Sequence, residues 1–542
     1  MKHKIFISLS LCSLLFLMNS CEKKIDEAFT NPNATVRVPV ETMLPGIIGN
    51  FVGSASAAGS AYGTANDGLY VGRYVQFWAT NASGNQFDQM GGATGASDIL
   101  GSVWAMHYYG MGQNLNRMID WSIEEKKWDY AGVGYAIRAW SWLMLTESYG
   151  EVIMTEAFNT SQLVFNYNDQ PQVYDTVRTI ARLALEYLDK TGDGVSQANL
   201  AKGDQYFYNG DVAKWKKFVY AVLARSYHHL SNKASYNADS VIKYASLSIL
   251  TNADNATAKF ANTGITGTAN FYGPLRSNVG TLRQSAFIAN LENGLNTRFP
   301  GVPDPRAWYL LRENTNNTIR GINPNKGASG LPTADQPQNF WGGTFSTSTA
   351  PASDAACRYI FKNASPFPII TASEMKFMLA EAYYRKGLKT DALNAYKDGI
   401  SLNFDLLVSD YNAGVPVSQQ ITPAKKAAYL ANPIIVPLAA DLRLSHIMLQ
   451  KYIALYGHGI HETWTDMRRF HYTDVEAGTT GQVYADFTPP SGIDLFINNS
   501  DKLVYRARPR YNSEYLYNVA ELTRIGALAL DYHTKEQWFT QK

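Results

Sequence analysis

Residues 375–404 read MKFMLAEAYYRKGLKTDALNAYKDGISLNF. Leu379, Ala380, Tyr383, Ala392, Tyr396 and Gly399 fall at the large and small positions of a tetratricopeptide repeat. The small Ala380 lets two helices approach closely, while Tyr383 and Tyr396 fill the groove between them. Gly387 breaks the chain at the turn, and Phe404 stands where such a repeat usually closes with Pro. A degenerate copy runs from Trp215. Leu223, Ala224 and Tyr227 match the first helix, and Ser240, Tyr244 and Leu247 match the second after a longer turn. Residues 130–149 supply another first helix, with Val133, Ile137, Trp140 and Met144 on one apolar face and Gly150 as its stop. Repeats of this kind stack into a curved α-solenoid. For the weaker copies, unrelated helical hairpins are the alternative.

Working outward, residues 174–188 and 442–456 are further amphipathic helices, the former with Val177, Ile180, Ala184 and Leu188 on one side. Two long stretches, 252–280 and 314–363, are rich in Gly, Asn, Thr, Ser and Pro, and loops of that length in a compact protein are usually functional or disordered. The fold class expected is therefore all-α in the main, a tetratricopeptide-like helical repeat scaffold with long irregular loop regions.

The N-terminus has the parts of an export signal. Lys2, His3 and Lys4 form a basic head, residues 5–18 an uncharged apolar core, and Ser20 a small residue before Cys21. The apolar core is too short to span a bilayer, which takes about 20 residues. The segment resembles a lipoprotein signal, with Met18 where Leu is usual and Asn19 where a small residue is usual. Cys21 is then the lipidation site, because a diacylglycerol on its thiol and a further acyl chain on the freed amine give stable anchoring. The alternative is simple cleavage near Ser20 with Cys21 left as a free thiol. The expected organisation is a signal peptide over 1–20, a lipid anchor and polar, turn-rich tether over 21–45, and one helical body over 46–542.

Composition narrows the function. The chain has 542 residues, 46% of them hydrophobic, enough for a large core. Its 48 Lys and Arg include Lys2 and Lys4, so the mature chain balances its 46 Asp and Glu. That balance leaves no electrostatic footprint for nucleic acid. The cysteines are Cys12, Cys21 and Cys357, so a lipidated Cys21 leaves no intramolecular disulfide, and Cys357 reads as a small core residue. There is no phosphate loop, dinucleotide fingerprint or serine elbow. His458, His461 and Glu462 come nearest to a metal site, but no third ligand can be identified. No catalytic residue, cofactor or metal is expected.

A series of short segments then resembles one family in order along nearly the whole chain. They are the lipoprotein signal; residues 104–116 with Trp104, Asn114 and Asn116; 137–140 leading to 149–152 and Glu156-Ala157; and Pro303-Asp304-Pro305-Arg306. Next come 370–374 leading into Leu379-Ala380-Glu381-Ala382, then Gln450-Lys451-Tyr452, Glu462-Thr463-Trp464 and Arg468-Arg469. Arg508-Pro509-Arg510-Tyr511, Glu514 and Asn518 close the series. The family is the SusD/RagB outer-membrane lipoproteins, within it the SusD-like nutrient-binding branch. The resemblance implies a lid on a SusC-like TonB-dependent β-barrel transporter that captures a glycan, or a peptide, at the outer membrane. It also implies that Glu462 and Trp464 are held structurally against Arg468 or Arg469, and Asp304–Arg306 reads as a loop-fixing ion pair. A surface-exposed glycoside hydrolase and a helical protein-binding scaffold are the competing functional classes.

Sugars present C–H faces to flat aromatic rings and hydroxyls to amides and guanidinium groups. By analogy with the family, residues of that kind are sought outside the repeats, in 78–87 and 271–341. Trp78, Asn81, Phe87, Tyr272, Trp308 and Trp341 are the candidate ligand-binding residues.

Overall fold

The computed structural model describes residues 37–53, 62–92, 98–342 and 348–542. The signal peptide over 1–20, Cys21 and most of the tether lie outside the described residues.

Three helical hairpins form the spine. They are α4 (Trp128–Tyr149) with α5 (Gln170–Asp189), α6 (Val212–His228) with α7 (Ala238–Leu247), and α8 (Ala372–Arg385) with α9 (Lys389–Tyr411). Among the shorter helices that precede them are α1 (Val40–Ile48), α2 (Thr64–Tyr74) and α3 (Gly112–Glu124). Among those that follow are α10 (Leu444–Ala454) and α11 (Ile460–Arg469). The first helices of successive hairpins touch, α4 on α6, α6 on α8 and α8 on α10, as a solenoid requires. Side-chain caps set where three of the helices begin. Thr371 accepts from the Glu374 N–H (3.2 Å), Asp211 from Lys214 (3.1 Å) and Asn237 from Ser240 (2.9 Å). Each such cap stabilises its helix by about 1 kcal/mol.

The hairpin of residues 375–404 closes as its pattern predicts. Ala380, Ala392 and Tyr396 are fully buried, and the Tyr396 hydroxyl donates to the Ile435 carbonyl (2.7 Å). A Cβ on Gly399 would sit 2.9 Å from the Phe377 ring, so the two helices cross where one lacks a side chain. Gly387 turns the chain at φ +77°. With no Pro at 404 the second helix runs on to Tyr411, burying Phe404, Leu406 and Leu407. In the copy from Trp215, Leu223 and Ala224 are buried and Tyr227 stacks on Tyr244 (5.5 Å). Leu247 is 47% exposed instead, because Val241 and Ala245 are the residues that this helix buries.

Two expectations change. Helix α4 buries nearly its whole circumference rather than one face, since α3, α5, α6 and α11 all pack on it. The tether expected over 21–45 ends before Val40: α1 buries Val40 and Leu44 and packs on α3, so the body begins inside the stretch read as linker. The prolines at 39 and 45 concealed a helix that tolerates Pro45 within its nine residues.

The irregular stretches are fastened by two small antiparallel ladders. β1 (Trp78–Thr80) pairs with β3 (Leu282–Gln284), and β2 (Ala256–Ala258) pairs with β4 (Phe367–Ile370) just before α8. Strands of three or four residues carry too little alternation to be read from sequence. Among the described residues no helix is long and apolar enough to cross a membrane.

Candidate functional site

Four of the six candidate ligand residues are core. Trp78, Tyr272 and Trp341 are fully buried and Phe87 is 3% exposed. Trp78 meets Tyr272 and Phe340 edge-on, at 5.8 and 6.1 Å, and Phe340 stacks on Phe361 at 4.4 Å. Their polar edges are spent internally. The Trp341 indole donates to the Tyr272 carbonyl (2.9 Å), the Trp78 indole to the Leu69 carbonyl (3.1 Å) and the Tyr272 hydroxyl to the Ala65 carbonyl (3.2 Å). Phe87 lies against Tyr70 (4.6 Å). These rings staple the loops to the body and present no face to a ligand. Trp308 is half-buried, with its carbonyl accepting from Arg358 (3.4 Å). Asn81 is half-buried, and its carbonyl holds the loop of residues 323–330 by accepting from the Ala328 N–H (2.8 Å).

That loop forms one wall of an open groove of about 570 Å³. Five segments distant in sequence meet there: Gln76 just past α2, the helix Ala286–Glu292 with Phe287 and Asn290, the turn after it with Leu295 and Thr297, Asn323 with Pro324, and residues 486–494. Two non-glycine residues in it hold left-handed backbone, Gln76 (φ 56°) and Asp486 (φ 67°). Such strain persists where surrounding bonds impose it and concentrates at functional sites. Gln76 is pinned by its side chain to the Thr488 carbonyl (2.7 Å) and by the Ser285 hydroxyl, which donates to the Gln76 carbonyl. Asp486 accepts from the Thr297 N–H (2.6 Å) and hydroxyl (2.8 Å). Asp494 accepts from Lys326 (2.6 Å) and Asn325 (2.9 Å), and these bonds hold its carboxyl below the usual range. Asn290, Leu295, Thr297, Asn323 and Ser491 are exposed along the groove, while Phe287, Pro324, Pro489 and Pro490 supply apolar surface. The arrangement offers fixed acceptors, amide donors and flat apolar patches to a neutral polar ligand. Asp494, held ionised, is unsuited to donating a proton. Of the six sequence candidates only Asn81 adjoins this groove. The turn run Pro489-Pro490-Ser491-Gly492 was the one sequence signal for its far wall.

The histidine motif does not assemble a metal site. The His461 ring bonds the Thr64 carbonyl (3.0 Å) and the His458 ring the Tyr359 hydroxyl (2.9 Å), and burial discharges them, to about 4 and about 3. The donor atoms of His228, His229, Glu462 and Asp466 do lie within 4.8 Å of one another, where α6 and its C-terminal end meet α11. Cationic side chains already fill that space. Lys451 bridges Glu462 (2.9 Å) and Asp466 (2.7 Å), Arg225 reaches Glu462 (3.3 Å) and Glu374 (2.7 Å), and Arg469 reaches Glu381 (2.9 Å) and Asp466 (2.5 Å). His229 sits between Glu147 (2.5 Å) and Glu462 (3.1 Å). Against the burial that would discharge it, those carboxylates raise it to about 9. The donor set therefore fits an ion-pair web that ties α4, α6, α8, α10 and α11 together across the solenoid. Trp464 does lie under Arg468, 3.8 Å from the guanidinium to the ring, as the resemblance implied, whereas Glu462 pairs with Lys451, Arg225 and His229 instead of either arginine. Asp304 and Arg306 form the expected buried ion pair (2.6 Å).

Fold and groove together describe a helical-repeat protein whose open polar groove is built by loops outside the repeats. The family model described as starch-binding, associating with the outer membrane, matches residues 52–491, and the chain belongs to this SusD-like family of binding proteins. Solved structures of the same fold include a SusD/RagB family protein from Bacteroides thetaiotaomicron, 19% identical with TM-score 0.67 over 93% of this chain and 99% of that one. A SusD homolog from Bacteroides fragilis is 18% identical with TM-score 0.65, covering 93% and 100%. A chitin-binding SusD homolog from Flavobacterium johnsoniae is 16% identical with TM-score 0.66, covering 92% and 98%. No curated protein matches the chain.

Proposed function

We propose that the protein is a cell-surface lipoprotein, anchored through Cys21 to the outer membrane, that captures a neutral glycan in the 570 Å³ groove and delivers it to a SusC-like TonB-dependent transporter. The observation that carries the reading is the groove itself. Its amides and hydroxyls are exposed, its two carboxylates are fixed by bonds to neighbouring loops, and its backbone strain at Gln76 and Asp486 is held in place by those loops. Family membership supports a binding role over a catalytic one.

The test titrates the mature protein with maltoheptaose and with chitohexaose, the second chosen because one relative is a chitin-binding protein. Asn290→Ala with Asn323→Ala removes two exposed amides and should weaken binding of the preferred sugar by roughly tenfold, about 1.4 kcal/mol, with unchanged melting. Unchanged affinity in that double variant refutes the groove as the site. For the anchor and partner, palmitate should label the wild type and not Cys21→Ala, and mild detergent extraction should recover a barrel-sized protein with the wild type. Equal labelling, or recovery of the lipoprotein alone in several detergents, counts against those parts of the reading.

A further inference from the structure

A second cleft, of about 370 Å³, lies away from the groove and has the opposite character. Six rings line it: Trp104, Tyr108, Tyr109, Phe158, Phe165 and Tyr517. Both π-helical segments among the described residues, Met106–Met111 and Tyr511–Tyr515, flank it and carry Tyr108, Tyr109, Ser513 and Glu514 into it. A π-turn inserts one extra residue in a helix and is frequently found at functional sites. Phe158, also in the wall, is held in left-handed backbone at φ 68°.

The floor is made of acceptors. Glu514 is 5% exposed, and its Oε2 accepts from the Tyr167 hydroxyl (2.8 Å) and the Asn518 amide (2.9 Å). Among the described residues no Lys, Arg or His pairs with this carboxylate. The nearest arginines in sequence pair with other acceptors: Arg508 donates to the Ala529 carbonyl (2.7 Å), and Arg510 pairs with Asp98 (3.4 Å) while its guanidinium lies 5.1 Å from the Tyr109 ring at the rim. Asn518 is 2% exposed and spends its NH₂ on Glu514 and on the Phe165 carbonyl (2.9 Å), which leaves its Oδ1 buried without a donor. A buried carboxylate without a cation, beside an orphan amide oxygen and under aromatic faces, is complementary to a positive charge on an apolar stem. The rim is apolar and open: Leu163 is 85% exposed, Tyr517 69%, Leu516 53%, Val164 52% and Tyr109 49%. An exposed patch of that kind marks a contact surface, and here it suits the apolar neighbours of the charged group. The negative floor disfavours phosphate-bearing lipids and nucleic acids. We propose that this cleft receives a lysine or arginine side chain from an apolar segment of another polypeptide, with Glu514 as its counter-ion and Tyr517 closing over its stem.

The test titrates the mature protein with two capped tripeptide amides, Leu-Lys-Leu and its neutral isostere Leu-norleucine-Leu, by calorimetry. The lysine peptide should bind at least about tenfold more tightly than the norleucine peptide. Glu514→Gln should abolish that difference, and Tyr517→Ala should weaken the lysine peptide by at least about threefold while leaving the melting temperature unchanged. Equal affinity of the two peptides for the wild type, or no binding of either at millimolar concentration, overturns the proposal. If Glu514→Gln does not fold, the wild-type comparison and Tyr517→Ala decide. The glycan titration run in parallel separates the two sites: peptide binding without glycan binding supports the cleft and refutes only the groove, and the converse refutes only the cleft.

Discussion

Trp341→Ala discriminates between a core and a ligand-facing tryptophan more sharply than any other change. Its indole is fully buried, contacts Tyr272 through a 2.9 Å hydrogen bond, and leaves no room on its edge, since a Cβ on Gly280 would lie 3.2 Å from the ring. A buried Trp removes roughly 150–250 Å² from water. At about 25 cal/mol per Å² that is roughly 4–6 kcal/mol, in line with the ~3–5 kcal/mol typical of Trp-to-Ala changes in cores. Unfolding about 500 residues as one unit carries an entropy near ~1 kcal/mol per degree, so melting should fall by about 3–5 °C. Scanning calorimetry of Trp341→Ala, with Trp341→Phe as a milder comparison, reads that fall directly. Groove affinity for glycan in the surviving folded protein should stay within about twofold. Unchanged melting together with a tenfold loss of glycan affinity would refute the assignment of Trp341 to the core and return the ligand site to the loop that carries it.

The ion-pair web and the buried histidines give two more tests. Glu381 is fully buried and accepts from His228 (2.8 Å), Arg469 (2.9 Å) and Arg385 (2.8 Å), so Glu381→Ala leaves uncompensated charge and should cost about 3–5 kcal/mol in denaturant unfolding; a loss under about 1 kcal/mol would show the web to be slack. Burial holds His228, His461 and His533 down at about 4, and His446 and His458 at about 3, so the unfolded chain takes up protons first as pH falls. The stability these five contribute is present above about pH 6.5 and is lost as pH drops toward 4, each histidine losing up to about 1.4 kcal/mol for every pH unit between its unfolded and folded values. His229 works in the other direction: its contribution is complete below about 6.5 and is lost as pH rises through about 9. Melting temperature should therefore peak at about pH 6–7 and fall on both sides, with the alkaline limb flattened in His229→Gln; a level profile between about pH 4 and 9 would contradict these assignments.

The repeat scaffold was legible in the amino-acid order alone. The spacing of Leu379, Ala380, Ala392, Tyr396 and Gly399 lies within one hairpin, and helical periodicity is a local property, so the α8–α9 pair and its weaker copy at Trp215 could be read directly. The Asp304–Arg306 pair was legible for the same reason, its partners being two residues apart. Which loop aromatics are walls and which are core was settled by tertiary packing. A Trp in a Gly- and Ser-rich loop has no local partner, so its burial depends on segments far away: Trp78 and Trp341 meet through Tyr272 and Phe340. The groove was hidden for the same reason, because Gln76, Asn290, Asn323 and Asp486 belong to four separate segments and share no pattern until β1–β3 pairing and the Asn325–Asp494 bond draw them together. The aromatic cleft adds a last case: Tyr109 and Glu514 occur in segments the sequence had singled out, but a buried carboxylate under aromatic rings exists only once the two π-turns are brought to one cleft.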